Sequence, residues 1–144
     1  MSNLKSVQSD IWYKMINNQP VDLTVTLEGT GAATAVLLGK QIIVTLAAAE
    51  TGKYVNISTP IGFRIINAHS IHQNATASDW QLANTTDAIN TAVVMAASDK
   101  DIDVTIDIDD AYSTFKRGDD DLRLIISTAA ATAIIFIDIE PTIA

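Results

Sequence analysis

Apolar and polar residues alternate with a period of two along much of this chain, the spacing of a half-buried β-strand whose successive side chains point to opposite faces. Val21, Leu23, Val25 and Leu27 fall on one face and Asp22, Thr24, Thr26 and Glu28 on the other. Gly29-Thr30-Gly31 then closes the run as a tight turn. Two further strands, ATAVLL and QIIVTLA, are joined by Gly39-Lys40, and a glycine at the first central position of a two-residue loop predicts a type II′ hairpin. Residues 46–51 carry Ala47-Ala48-Ala49-Glu50, which favours a helical turn.

Thr51-Gly52-Lys53 signals the next turn, before KYVNIST, and Pro60 separates that strand from a long run over residues 63–72. Asn84-Thr85-Thr86-Asp87 reads as a turn beyond Trp80. AINTAVVMAA and VTIDID follow as strands, with Val104, Ile106 and Ile108 alternating against Thr105, Asp107 and Asp109. DDAYSTFKRGDDD is a connection, and LRLIIST is expected to pair with TAIIFIDIE across Ala129-Ala130-Ala131. About eight or nine short strands at intervals of roughly 8–12 residues predict an all-β fold, an antiparallel β-sandwich of jelly-roll-like type.

The first twenty residues differ in character, so the chain divides into an N-terminal arm over residues 1–20 and a sandwich over residues 21–144. Leu4, Val7 and Ile11, with Trp12, Met15 and Ile16, lie near helical spacing, and Asn17-Asn18-Gln19-Pro20 ends the stretch. Two readings stay open: a frayed or locally packed terminus, or an arm whose Ile11, Trp12 and Met15 dock on a neighbouring subunit. At the other end the alternation breaks down. If Leu124 and Ile126 face the core then Ile125 faces out, and if Ile135, Ile137 and Ile139 face in then Ile134 and Phe136 face out. Large exposed apolar patches are rare on monomers, so the chain's own loops, the arm or another subunit should cover that second face. Ile11, Trp12, Met15, Ile125, Ile134 and Phe136 are therefore the candidate protein-contact residues, and a closed trimer would remove Ile134 and Phe136 from water. The run AAATAIIFI would invite aggregation if left exposed.

The 144 residues suit one domain that buries roughly two-thirds of its unfolded surface. Apolar residues make up 48% of the chain but aromatics only 6%, so the core must be built from Ile, Val, Leu and Ala. Nine Lys and Arg against seventeen Asp and Glu give a net charge of −8, which repels a phosphate backbone and argues against nucleic-acid binding. Without cysteine there is no disulfide and no thiolate chemistry. The opening MSNLKSVQSDIWYKM lacks the apolar core of a secretory signal, and Gly39-Lys40-Gln41 interrupts the longest apolar stretch, so neither export nor membrane spanning is expected. On that reading the sequons at Asn56, Asn74 and Asn84 are chance matches.

Chemistry-bearing motifs are sparse. Asp99, Asp101, Asp103 and Asp110 imitate a calcium loop, but Val104 stands where that loop requires glycine. Asp119-Asp120-Asp121 reads as a solvated turn. His69 and His72, three apart on a strand, point to opposite faces and do not share a metal. Ser70, His72 and Asp79 make a triad only on paper, since nothing resembles a nucleophile elbow. Gly29-Thr30-Gly31 lacks the spacing of a phosphate-binding loop. The expectation is a protein that is not an enzyme and holds no cofactor or metal. Trp80 beside Asp79 is the one hint of the alternative, a glycan- or receptor-binding module.

The strand FRIINAHSIHQ, then DWQLANTTDAIN, the acidic DIDVTIDIDDAY, the turn from Phe115 to Gly118-Asp119 and the apolar final hairpin together resemble the decoration, or cement, proteins of tailed-bacteriophage capsids. The resemblance runs from about residue 63 to residue 140. It implies a non-enzymatic homotrimeric β-sandwich on the capsid exterior, assembled in the host cytoplasm and bridging subunits of the major capsid protein. Binding would then be multivalent, with several weak coat contacts per assembly.

Overall fold

The alternation at residues 21–27 becomes strand β1 (Val21–Leu27) of a computed structural model that describes residues 4–52, 54–74, 76–90, 92–95, 108, 112–116, 121–127 and 130–142. Helix α1 (Leu4–Ile16) precedes it. Then come β2 (Ala32–Leu38), β3 (Gln41–Ala49), β4 (Tyr54–Ser58), β5 (Gly62–His72), β6 (Ser78–Asn84), β7 (Asp87–Ala88), β8 (Val93–Met95), β9 (Thr114–Phe115), β10 (Leu122–Ser127) and β11 (Ala131–Thr142). All pairings among these strands are antiparallel. The acidic run at residues 99–110 lies outside the described residues apart from Ile108, which packs partly buried against the core.

Strand β1 is the corner on which the sheet folds over. Its first half, Val21 to Leu23, pairs with β2, and its second half, Thr24 to Leu27, pairs with β4. One layer therefore runs β1-β2-β3-β11-β5-β9, which we call sheet A, and the other runs β1-β4-β10-β6 with β7 and β8 on β6, which we call sheet B. Every connection from β3 to β6 and from β8 to β11 passes between the two sheets, and the β4–β5 and β10–β11 crossings lie beside one another, because β4 neighbours β10 and β11 neighbours β5. This corrects the expected terminal hairpin. Strand β10 lies between β4 and β6, whereas β11 lies between β3 and β5. Each strand sends one apolar face into the shared core from opposite sides, which a hairpin within one sheet does not allow.

That core is aliphatic, as the composition requires. Ile42, Val44, Leu46, Ile65, Ile135, Ile137 and Ile139 from sheet A meet Val55, Ile57, Leu82, Leu122, Leu124 and Ile126 from sheet B, all at most 1% exposed. Fully burying one such side chain is worth roughly 1.5–3 kcal/mol. Phe63 and Phe115 stack at 4.7 Å where β9 joins the edge of β5. The apolar run of β11, hazardous if exposed, is hydrogen-bonded on both edges.

The arm is helical, as its spacing predicts, and it packs on its own domain. Ile11 and Met15, four residues apart on one face, are buried in the core cluster beside Leu23, with Trp12 half-buried against it. The helix ends in a Schellman motif: the Gln19 N–H donates to the Lys14 carbonyl at 2.8 Å and the Asn18 N–H to the Met15 carbonyl at 3.2 Å. Asn18 takes the left-handed position with φ 57°.

Strand continues through Ala49, and the helical turn that residues 46–51 offered as an alternative does not form, because pairing on both sides outweighs alanine's propensity. Strand β3 instead bulges at Ala47 and Ala48, which together oppose Thr132. Ala48 has φ 49°, and its N–H donates to the Thr132 hydroxyl at 3.0 Å. Gly31 abuts this bulge with φ 97°, and a Cβ there would lie 2.3 Å from the Ala48 carbonyl oxygen. The Gly39-Lys40 hairpin forms as predicted, with Gly39 at φ 59° and Leu38 opposite Gln41.

These two glycine environments predict different costs. Gly31→Ala combines left-handed strain with a backbone clash and should lower stability by about 2–4 kcal/mol. Gly52→Ala, at φ 72° with open space around it, should cost only about 1–2 kcal/mol. Urea unfolding midpoints at unchanged m-value measure both.

Candidate functional site

Strand alternation gives each sheet an outer face, and the outer face of sheet A is the more apolar. One row crosses five strands as Asp22, Val36, Ile43, Phe136 and His69. The next runs Thr34, Thr45, Ile134 and Ile71. Val36, Ile43, Ile134, Phe136 and Ile71 are all half-buried by their neighbours, and the His69 imidazole stacks on Phe136 at 4.9 Å. Polar pairs border this patch on one side: Gln41 donates to Asp138 at 2.9 Å, and Arg64 bridges Glu140 at 3.0 Å. Among the described elements none forms a second layer over these rows.

The outer face of sheet B is mixed. The Arg123 guanidinium lies over the Tyr54 ring at 4.4 Å, and Ile125 sits half-buried between Tyr54 and Gln81. Across the pair, the Arg123 Nε and the Asn56 Oδ1 are shielded from solvent without a hydrogen-bond partner among the described residues. Where β1 leaves one sheet for the other, two clefts open. One of about 370 Å³ is lined by Leu23, Val25 and residues 33–36, and one of about 220 Å³ by Leu23, Thr24 and residues 58–60, with Asp22 bordering both.

The six candidate contact residues thus separate into three places. Ile134 and Phe136 point outward on sheet A, as their alternation required, and Ile125 points outward on sheet B. Ile11 and Met15 belong to the core and are not free to dock on another subunit, because α1 folds back on its own domain, while Trp12 is half-buried against that core. Sequence reasoning missed Val36, Ile43, Ile71 and His69 as members of the sheet A patch. Each lies in a strand whose partner was unknown, and cross-strand pairing alone places them beside Phe136 and Ile134.

No catalytic group is assembled from the paper triad. His69 lies on the outer face and His72 on the inner face, as their spacing predicted. Ser70 is fully buried and its hydroxyl accepts the Trp80 indole N–H at 2.9 Å, whereas Asp79 lies on the outer side of sheet B beside Ser127. Trp80 itself is 0% exposed, so it offers no stacking surface to a sugar. Among the described residues, no three His, Asp or Glu side chains gather as a metal cage, and no helix is long and apolar enough to cross a membrane.

Fold and faces together define an all-β sandwich whose prominent outward feature is an apolar sheet surface. No protein family and no curated protein matches this chain. It is similar to a solved structure described as "CBM4 structure and function", with a TM-score of 0.40 and 13% identity, covering 83% of this chain and 86% of the other.

The buried indole gives a direct check on the core. Ser70→Ala leaves the Trp80 N–H without its acceptor in a dry site and should cost about 1–3 kcal/mol by chemical unfolding.

Proposed function

We propose that this protein works without chemistry, as a structural protein that docks on other protein through an outer sheet face. In its specific form we read it as a decoration protein that covers the exterior of a viral capsid and bridges coat subunits. The observation that carries the reading is the patch formed by Val36, Ile43, Phe136, Ile134 and Ile71 on sheet A. Burial of apolar area is the main drive for protein association, and contiguous apolar patches on soluble proteins mark interaction sites.

Two further observations support it. The face is set on strands paired along their length, so little ordering cost opposes docking. The net charge of −8 keeps a chain with such a patch soluble until its partner covers it. Bridging would draw on several contacts at once, so each coat contact can be weak.

The test is co-expression with the major capsid protein of the same genome, followed by sedimentation of the shells. The expected result is co-sedimentation of the wild-type chain and at least about a tenfold loss for Phe136→Asp, whose thermal unfolding should stay within a few degrees of wild type. A wild-type chain left wholly in the supernatant would contradict the capsid reading.

A further inference from the structure

We infer that the corner at β1 is a second binding site, which takes a short extended segment of a partner protein as an added strand. The inference goes beyond the sheet A face and stands on other residues. It adds the second contact that a chain bridging two coat subunits requires.

The parity of the two ladders at β1 defines what the corner offers. In an antiparallel pair each residue turns its N–H and C=O to one edge of its strand, and the next residue turns them to the other. The Glu28 N–H donates to the Tyr54 carbonyl at 3.1 Å, so Thr26 and Thr24 also bond toward β4, while Leu27, Val25 and Leu23 turn toward the β2 side. On β2 the two-residue turn makes Leu38 and Gln41 a bonded pair, so Val36 and Thr34 bond toward β3, while Leu37, Ala35 and Ala33 turn toward β1. The two ladders agree at Leu23 and Ala35, the last pair between β1 and β2. Beyond it β1 leaves for sheet B. Among the described residues, no strand then lies beside the N–H and C=O of Val25 and Leu27, nor beside those of Ala33 across the gap. Val25 and Ala33 both line the cleft of about 370 Å³.

Open rows of peptide donors and acceptors are matched by another extended backbone, the mode of strand addition at a sheet edge. Neither open stretch, residues 24–27 or residues 32–34, carries the lysine, proline or inward charge with which edges are kept from pairing. A segment in the place that β2 vacates runs antiparallel to β1, and the open stretch gives it about four residues of pairing. Its residue opposite Val25 points into the cleft against Leu23, Ala33 and Ala35, where the two alanines leave room for a valine-sized side chain. The residues on either side of it turn outward with the exposed Thr24 and Thr26 and are polar. Asp22 lines the cleft toward the segment's C-terminal end, so a lysine or arginine follows the inward residue.

The experiment is a titration of the nitrogen-15-labelled full chain with a capped peptide of serine, threonine, valine, threonine, lysine and serine in that order, followed by the backbone amide signals. The amides of Val25, Leu27 and Ala33 should shift and saturate with a dissociation constant of about 1 mM or tighter. The same peptide methylated on its valine nitrogen cannot donate to the edge and should bind at least about tenfold more weakly. Ala33→Leu fills the cleft and should abolish the shifts, with thermal unfolding within a few degrees of wild type. Phe136→Asp should bind the peptide as wild type does, so a failure of the sheet A reading and a failure of this one are told apart.

Equal binding of the methylated peptide overturns strand addition, because side-chain contacts alone would then account for the affinity. Val25, Leu27 and Ala33 amides that stay unmoved at about ten times that peptide concentration overturn the site itself.

Discussion

Strand β11 has to be satisfied on four sides, and the rest of the molecule is arranged around that requirement. Its edges are hydrogen-bonded to β3 and β5 along nearly its whole length. Its inner face, Ala133, Ile135, Ile137 and Ile139, fills the centre of the core against sheet B. Its outer face is apolar as well, at Ile134 and Phe136, and there the single chain supplies only the half-cover of neighbouring side chains. A strand with two apolar faces belongs in the middle of three layers, and the fold provides two.

The corner at β1 follows from the same demand. For sheet A to present a continuous inner face to sheet B, one strand must turn from one layer into the other, and β1 does so between Leu23 and Thr24. The turn leaves clefts on either side of β1, and α1 buries Ile11 and Met15 beside Leu23 at this corner. The bulge at Ala47 and Ala48 and the tight approach of Gly31 belong to the same hairpin system, where β2 and β3 curl to keep register with β11.

Much of this was legible in the sequence, because a period of two fixes which side chain faces which way. The inward set on β1, the Gly39-Lys40 turn, the opposed His69 and His72 and the outward Ile134 and Phe136 all follow from alternation. The helical spacing of Ile11 and Met15 likewise marks one buried face. Alternation is silent about partners, however, so β10 and β11 read as a hairpin although they lie in different sheets. For the same reason the patch around Phe136 could not be completed with Val36, Ile43, Ile71 and His69. Residues 46–49 show tertiary pairing overriding local propensity. Trp80 shows that a lone tryptophan beside an acid is more simply explained by a core whose Ser70 satisfies the indole. The two-residue strands β7 and β9 carry too little pattern to be seen beforehand, whereas β8 lies within the expected strand AINTAVVMAA.

On the proposed reading the outer face of β11 is dry when the protein is docked on the capsid and wet when it is free. The most direct measurement is the fluorine chemical shift and its solvent isotope effect for a fluorophenylalanine at Phe136, followed with and without shells, with the buried Phe63 as internal reference. The account predicts a Phe136 signal as shielded from solvent as that of Phe63 when shells are present, and a solvent-exposed signal without them while Phe63 stays unchanged. A Phe136 signal that reports the same solvent contact with and without shells would contradict it.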